Sequence, residues 1–437
     1  MGSIANTPFR VLIVGGSYAG LSAALNLQDL CSGKSPRCGP APKPAEGAEP
    51  ASSSSLPQFD IDITIIDERD GFFHLIGTPL ALTSKSYADR TWVRYEDLPC
   101  VRDSSSIKVV QGSVTEVDQI SKSAKYLTVR HGEKTGEVQS VEYDYLVVAA
   151  GLRRVWPVVP QALDKKGWMA EAERHIEEGA KGRYGVLVVG GGAVGIEMAA
   201  ELKLVRPELN VTLVHSREKL LSSEPLPDEV KDKSLELLRE SGVEVLMGRR
   251  VKSTQAINDE EGKGGGAFYR VTFEGEDDGK TMLADQVSFA ISRPVPATQF
   301  LSKSVKDEEG YVRIQPSLAF PQDSPNSSDH FAAGDLVQWS GIKRCGGAMH
   351  MGYYAANNVH QRMIEVRTGK KPAFLQLDEI PPMIGLAVGK NAVSYWPQSG
   401  TSYGEDVMKL FFGNDLGFTI CWNHLGLGNG KEEAPLV

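Results

Sequence analysis

Cysteine is scarce: the chain has five in 437 residues, at Cys31, Cys38, Cys100, Cys345 and Cys421. The count is odd, and no two stand in a C-x-x-C arrangement. That excludes a disulfide scaffold, argues against a zinc site, and removes the dithiol relay of thioredoxin-reductase-like enzymes. Such usage suits a reducing compartment, here the cytoplasm. No apolar run reaches the roughly 18 residues of a membrane-crossing helix. The first residues lack a charged start followed by an apolar stretch, so no secretory leader is expected. Excess positive charge is missing too. Lys and Arg total 47 against 56 Asp and Glu, a formal charge of −9, which argues against nucleic acid as the main partner. No Ser-His-Asp set and no spaced metal-ligand cluster stands out.

What is present is an ordinary globular allotment, 41% apolar and 24% charged. At roughly 150 residues per domain it supports two or three cores. Phe9–Val14 is a short apolar β-type run. Gly15-Gly16-Ser17-Tyr18-Ala19-Gly20 follows, then a helical stretch over residues 21–30. The next apolar run, residues 61–66, ends in Asp67. Residues 31–57 between them are rich in Pro, Ser, Ala and Gly and read as a flexible insertion, because such a composition buries too little surface to order itself. Strand, turn and helix recur at residues 185–189, at Gly190-Gly191-Gly192-Ala193-Val194-Gly195, and at residues 196–205. The strand after them, Val211–Val214, ends at His215. Two β-α-β nucleotide units imply two dinucleotide sites, or one duplicated ancestor. Further strands are expected at residues 107–110, 126–130 and 145–149, with surface loops at 259–266 and 321–329. A helix is expected from Gly347 to about Val366. Beyond Pro382, short β-like runs alternate with Gly and Asn turns, which suits a small α+β piece.

A lone G-x-G-x-x-G is weak; strand before, helix after and an acid ending the second strand give it force. In the first unit Ser17 replaces the middle glycine, and its hydroxyl could bond a phosphate oxygen. Asp67 stands where a carboxylate accepts ribose hydroxyl protons. The second unit is a full match at Gly190, Gly192 and Gly195, where a pyrophosphate would sit on the helix N-terminus. No acid ends its second strand. A carboxylate there would repel the 2′-phosphate of NADPH; with His215, Ser216 and Arg217 in its place, Arg217 could pair with that phosphate. NADPH is favoured and NADH also serves, unless Ser216 and Arg217 form a plain solvated turn. Two stretches link the units: one strand ends in Ala149-Ala150-Gly151, and another in Gly334-Asp335. An Asp after that glycine can bind a ribityl hydroxyl or a phosphate-held water.

Over nearly its whole length the sequence resembles the two-dinucleotide-binding flavoprotein superfamily. The likeness is to its apoptosis-inducing-factor-like branch, that of ferroptosis suppressor protein and its fungal and plant relatives. The residues carrying it are 15–20, Phe72-Phe73-His74, 190–201, 211–216, Gly334-Asp335, 348–352 and 417–422. The resemblance implies an α/β fold with two Rossmann-like dinucleotide-binding domains, for FAD and NAD(P)H, plus a small C-terminal α+β domain. The implied division is 1–155 and 285–372 for FAD, 156–284 for NAD(P)H, and 373–437. It also implies that Gly15, Ser17, Tyr18, Ala19, Gly20, Asp67, Val114, Gly151, Gly334, Asp335 and Ala348 hold FAD. Gly190, Gly192 and Gly195 would hold the pyrophosphate of NADPH or NADH, and Glu197 would contact its carboxamide. The helix opening near Ala348 would turn its positive end to the flavin. His350 could act as an acid there or simply pack, and His74 would pack beneath the flavin.

Departures are visible. The branch often has a lysine before this helix, where Gly346 stands here. Residues 292–296 replace a glycine-rich stretch. Met1-Gly2 opens like a myristoylation signal, but Asn6 stands where Ser or Thr is wanted. The expected activity is that of an FAD-dependent NAD(P)H oxidoreductase delivering electrons to a quinone-like acceptor, with peripheral membrane contact an open expectation. The alternatives are a tailoring oxidase or monooxygenase using O2, and a slow NAD(P)H-binding redox sensor.

Overall fold

The computed structural model describes residues 7–38, 57–258, 268–275 and 279–428. Most of the expected insertion, the loop at 259–266 and Asn6 lie outside the described residues. Phe9–Val14 is buried at every position but Arg10, as a central strand covered on both faces must be. It pairs in parallel with Ile61–Asp67 on one side and Tyr145–Val148 on the other. Ile107–Asp118 and His330–Ala332 extend the parallel run outward. Ser123–Arg130 and Glu133–Glu142 add an antiparallel hairpin, completing seven strands. The hairpin's last strand alternates charge and small polar residues and leaves almost no apolar signal in the sequence.

Tyr18–Cys31 is buried along nearly its whole length, because it lies between this sheet and the long helix Cys345–Thr368. Small residues allow that approach. A Cβ on Gly352 would stand 2.3 Å from the Ala19 carbonyl oxygen, and Ser22 Oγ donates to the Met349 carbonyl at 2.7 Å. The long helix begins two residues before the expected Gly347. Glycines are tolerated there because the first-turn N–H groups have no intrahelical partner to lose.

The second unit is a four-stranded parallel sheet in the order Glu244–Leu246, Val211–Val214, Val186–Val189, Gln286–Phe289. Its last strand pairs with Val186–Val189 directly, so the unit runs past residue 284 to Phe289. The antiparallel strands Val251–Ile257, Phe268–Phe273 and Thr281–Ala284 pack beside it. The C-terminal part is a three-stranded meander, Ile384–Val388, Asn391–Trp396 and Gly400–Gly404, followed by Glu405–Phe411 and Phe418–Leu425. Phe418, Trp422 and Leu425 join the first core, while Leu386, Val388 and Val393 join the second, so this segment ties the two units together. Among the described residues no helix is long and apolar enough to cross a membrane.

Candidate active site

The two Gly-rich turns divide the same work in the same way. Gly15 (φ +101°) and Gly190 (φ +122°) make the tight turn, a conformation that side chains avoid. A Cβ on Gly20 would fall 1.8 Å from the Gly15 carbonyl oxygen, and one on Gly195 would fall 1.9 Å from that of Gly190. Those glycines are fixed by strand–helix contact. Gly192 has nothing within 4 Å of a built Cβ, so the space beside it is open. Ser17 holds the matching place in the first unit; it precedes the helix and its hydroxyl makes no capping bond.

Beside the first turn lies a cavity of about 580 Å³ lined by Gly15, Asp67, Val114, Arg154 and Phe300, among others. Asp67 Oδ2 accepts the Gly16 N–H at 2.6 Å and Oδ1 the Arg69 N–H at 2.8 Å. Burial raises its pKa, and these two N–H groups with the Arg69 charge oppose the rise. Asp335 is half-buried and makes no hydrogen bond to a described residue; burial raises its pKa against the charges of Lys343 and Arg154. Gly151 (φ +67°) faces open space. An acid at the strand end, a cradle without Cβ atoms and a carboxylate with free acceptors are what a dinucleotide with ribose and ribityl hydroxyls needs, so the residues present fit FAD. Tyr18 and Ala19 are buried. Tyr18 meets His74 Nδ1 at 3.0 Å, and His74 Nε2 meets the Leu416 carbonyl at 3.0 Å. Burial holds His74 near pKa 4, so the ring is neutral: Nε2 donates and Nδ1 accepts from Tyr18. Gly334 and Ala348 pack where the first turn meets the long helix.

A larger cleft of about 1070 Å³ runs along the second turn. Gly190, Gly192, Glu197 and Arg217 all line it, and so do Arg154, Arg249, Arg250, Arg344 and Cys345. His215 occupies the place of the missing acid in an unexpected way. Its Nδ1 accepts the Gly191 N–H at 3.1 Å and its Nε2 meets Ser222 Oγ at 3.2 Å, so it braces the turn. Burial lowers its pKa, and Arg217 lowers it further. Glu197 reaches the cleft wall and accepts the Ala387 N–H at 3.3 Å. Desolvation pushes it up to about 8. Glu201, one turn on, is 1% exposed and also near 8, and its Oε1 has no partner.

His350 lies elsewhere. It lines a second cavity, of about 380 Å³, with its ring 4.4 Å from that of Tyr354. Burial and the Arg344 charge both lower its pKa. This cavity and the large cleft share two lining residues, Arg344 and Met383. The sequence offered no pattern for Arg249, Arg250, Arg344, Met383 or Trp396, which only the fold assembles. Nor is Cys345 electrostatically isolated, for its titration is linked to that of Cys421 in Phe418–Leu425. All five cysteines are free.

The family model of pyridine nucleotide-disulphide oxidoreductases matches residues 9–352. The chain belongs to that family. It is an FAD-dependent NAD(P)H oxidoreductase. Oxidoreductase OXR1 of Ajellomyces capsulatus is 48% identical over 429 residues, 98% of this chain and 89% of that protein. Ferroptosis suppressor protein 1 of Homo sapiens is 25% identical over 256 residues, 58% of this chain and 56% of that protein. The chain thus spans only about half the length of that second relative. Among solved structures, the sulfide:quinone oxidoreductase of Aquifex aeolicus superposes with a TM-score of 0.63 at 16% identity, covering 96% of this chain and 92% of that one. That likeness speaks for the two-unit α/β fold, which is the architecture expected from the sequence.

Proposed function

We propose that this oxidoreductase takes NADPH, and less readily NADH, in the large cleft and reduces a quinone-like conjugated carbonyl in the second cavity. Residues 7–155 with 290–372 form the FAD unit, residues 156–289 the nicotinamide unit, and residues 373–428 a cover over both. The observation that supports this most directly is the pair of cavities meeting at Arg344 and Met383, beside the N-terminus of the long helix. A donor and an acceptor can then occupy different chambers against one redox group. The name of the sulfide:quinone oxidoreductase, which shares this fold, agrees with this choice of acceptor. FAD held by Asp67, Asp335 and the first glycine turn would supply the two-electron redox chemistry between donor and acceptor. In the net reaction NAD(P)H, one proton and a quinone give NAD(P)⁺ and a hydroquinone.

The chain's own residues bind, orient and exclude water. Asp67 and Asp335 would hold FAD hydroxyls, with Gly15, Ser17, Gly20, Val114 and Gly151 forming the bed. Open space at Gly192 admits the second pyrophosphate to a helix N-terminus, whose free N–H groups favour an anion. Arg217 would meet the 2′-phosphate. Glu197, kept largely protonated at neutral pH, would donate to the carboxamide oxygen without placing a charge beside the nicotinamide.

The test is anaerobic stopped-flow reduction by NADPH and NADH, followed by reoxidation with quinones and, separately, with O2. Rapid bleaching of the flavin band and reoxidation by quinone ahead of O2 are expected. Stoichiometric peroxide or a hydroxylated product would establish an oxidase or monooxygenase instead. Bleaching over minutes would establish a sensor.

A further inference from the structure

Arg344 differs from three half-buried arginines that each hold a carboxylate. Arg37 pairs with Asp29 at 2.7 Å, Arg90 with Asp415 at 3.1 Å and Arg362 with Asp329 at 3.1 Å. Arg344 is half-buried too, yet no described carboxylate pairs with it. Its Nη2 donates to Met383 Sδ, a weak acceptor, and its guanidinium lies 5.6 Å from the Trp396 ring centroid. A guanidinium has five N–H donors in a planar fork shaped for carboxylate or sulfonate oxygens. Holding one partly desolvated against sulfur and a ring face leaves most of that capacity unused.

The second cavity supplies the rest of a binding site. Trp396, Tyr354 and His350 give it ring faces, and Leu377 and Ile380 an apolar wall. A Cβ built on Gly346, at the foot of the long helix, would meet nothing within 4 Å, so a flat group can approach the backbone there. Asp378 and Glu379 also line the cavity, but both are exposed to solvent, where their field is screened. Its volume of about 380 Å³ lies at the small end of ligand sites, which run from roughly 300 to 1,000 Å³. That suits one or two fused rings and not a long isoprenoid tail.

We propose that the second cavity selects a small, planar conjugated carbonyl compound carrying an acid group, with Arg344 gripping the anion and Trp396, Tyr354 and His350 receiving the ring. The proposal rests on the acceptor reading above and narrows its substrate class. It is tested by isothermal titration of the oxidised, FAD-loaded protein without NAD(P)H, using 1,4-naphthoquinone-2-sulfonate and the uncharged 1,4-naphthoquinone. The sulfonate is expected to bind about tenfold more tightly or better. Arg344→Leu should bring the two affinities within about threefold of each other by weakening the sulfonate alone, and Arg344→Lys should keep part of the preference. Equal binding of both probes to the wild type overturns the proposal. So does a preference that survives in Arg344→Leu, or an equal loss of both probes in that variant. If Arg344→Leu fails to retain flavin, the wild-type ratio and Arg344→Lys decide: an equal ratio in the first, or an undiminished preference in the second, overturns it. Reduction of both quinones without discrimination defeats the charge argument alone. Failure of both to bind or be reduced, while NADPH still bleaches the flavin, defeats the acceptor reading with it.

Discussion

Replacing Glu201 by Gln should stabilise the protein, and by an amount that grows with pH. Glu201 is 1% exposed and its Oε1 has no partner. Burial, reinforced by Glu197, raises its pKa from 4.5 to about 8. In the unfolded chain the carboxyl ionises near its ordinary value, whereas in the folded protein it keeps its proton up to about pH 8. The folded state therefore binds more protons across this window, and stability from this group, full below pH 4.5, falls as pH rises. At pH 7 the lag is two and a half pH units, and at 1.36 kcal/mol each it costs about 3 kcal/mol. Gln has nearly the same shape and no proton to lose, so Glu201→Gln recovers most of that cost at pH 7, with under about 1 kcal/mol expected at pH 5. Thermal unfolding of the FAD-loaded wild type and variant, read by the rise in flavin fluorescence at pH 5 and pH 8, checks this. The variant's melting point should lie close to the wild type's at pH 5 and a few degrees above it at pH 8. An advantage of equal size at both values, or a variant less stable at pH 8, would refute the reasoning.

Three further outcomes are expected. Asp335→Ala should come off purification largely colourless, measured as the ratio of flavin to protein absorbance, because its carboxylate is free to hold the cofactor. Gly192→Val should raise KM for NADPH and NADH alike by at least tenfold while leaving flavin content unchanged, since a side chain there meets no protein atom and fills only ligand space. Arg217→Ala should raise KM for NADPH roughly tenfold and leave that for NADH within about twofold, as measured by steady-state kinetics.

Much of the fold could be read from local chemistry. The turns at Gly15–Gly20 and Gly190–Gly195 were legible because a positive φ and a carbonyl under 2 Å from a would-be Cβ leave no other residue type available. Strands such as Val186–Val189 and Val211–Val214 were legible because burial on both faces demands an unbroken apolar run. The hairpin strand Glu133–Glu142 was not, because its exposed residues obey no such demand. Arg344 and Trp396 were missed for a different reason. They meet across the foot of the long helix and the C-terminal meander, and no spacing within either segment announces the contact. His350 could be picked out as a residue, but the cavity it lines with Tyr354 and Trp396 could not, since a helix residue's facing depends on the partners packed around it.

The edge strand His330–Ala332 docks on Tyr145–Val148, with the whole nicotinamide unit looped out of the chain between them. A ribosome must therefore release that entire unit before the first sheet can gain its final parallel strand. The second unit, whose own sheet is complete by Phe289, can fold first and bring His330–Ala332 back to the open edge at Tyr145–Val148. A product cut short ahead of His330 would keep every residue of the first glycine turn and still lack both Asp335 and the helix that backs it. The same layout makes the looped-out unit a natural cassette, exchangeable at its two crossings for one of different coenzyme preference.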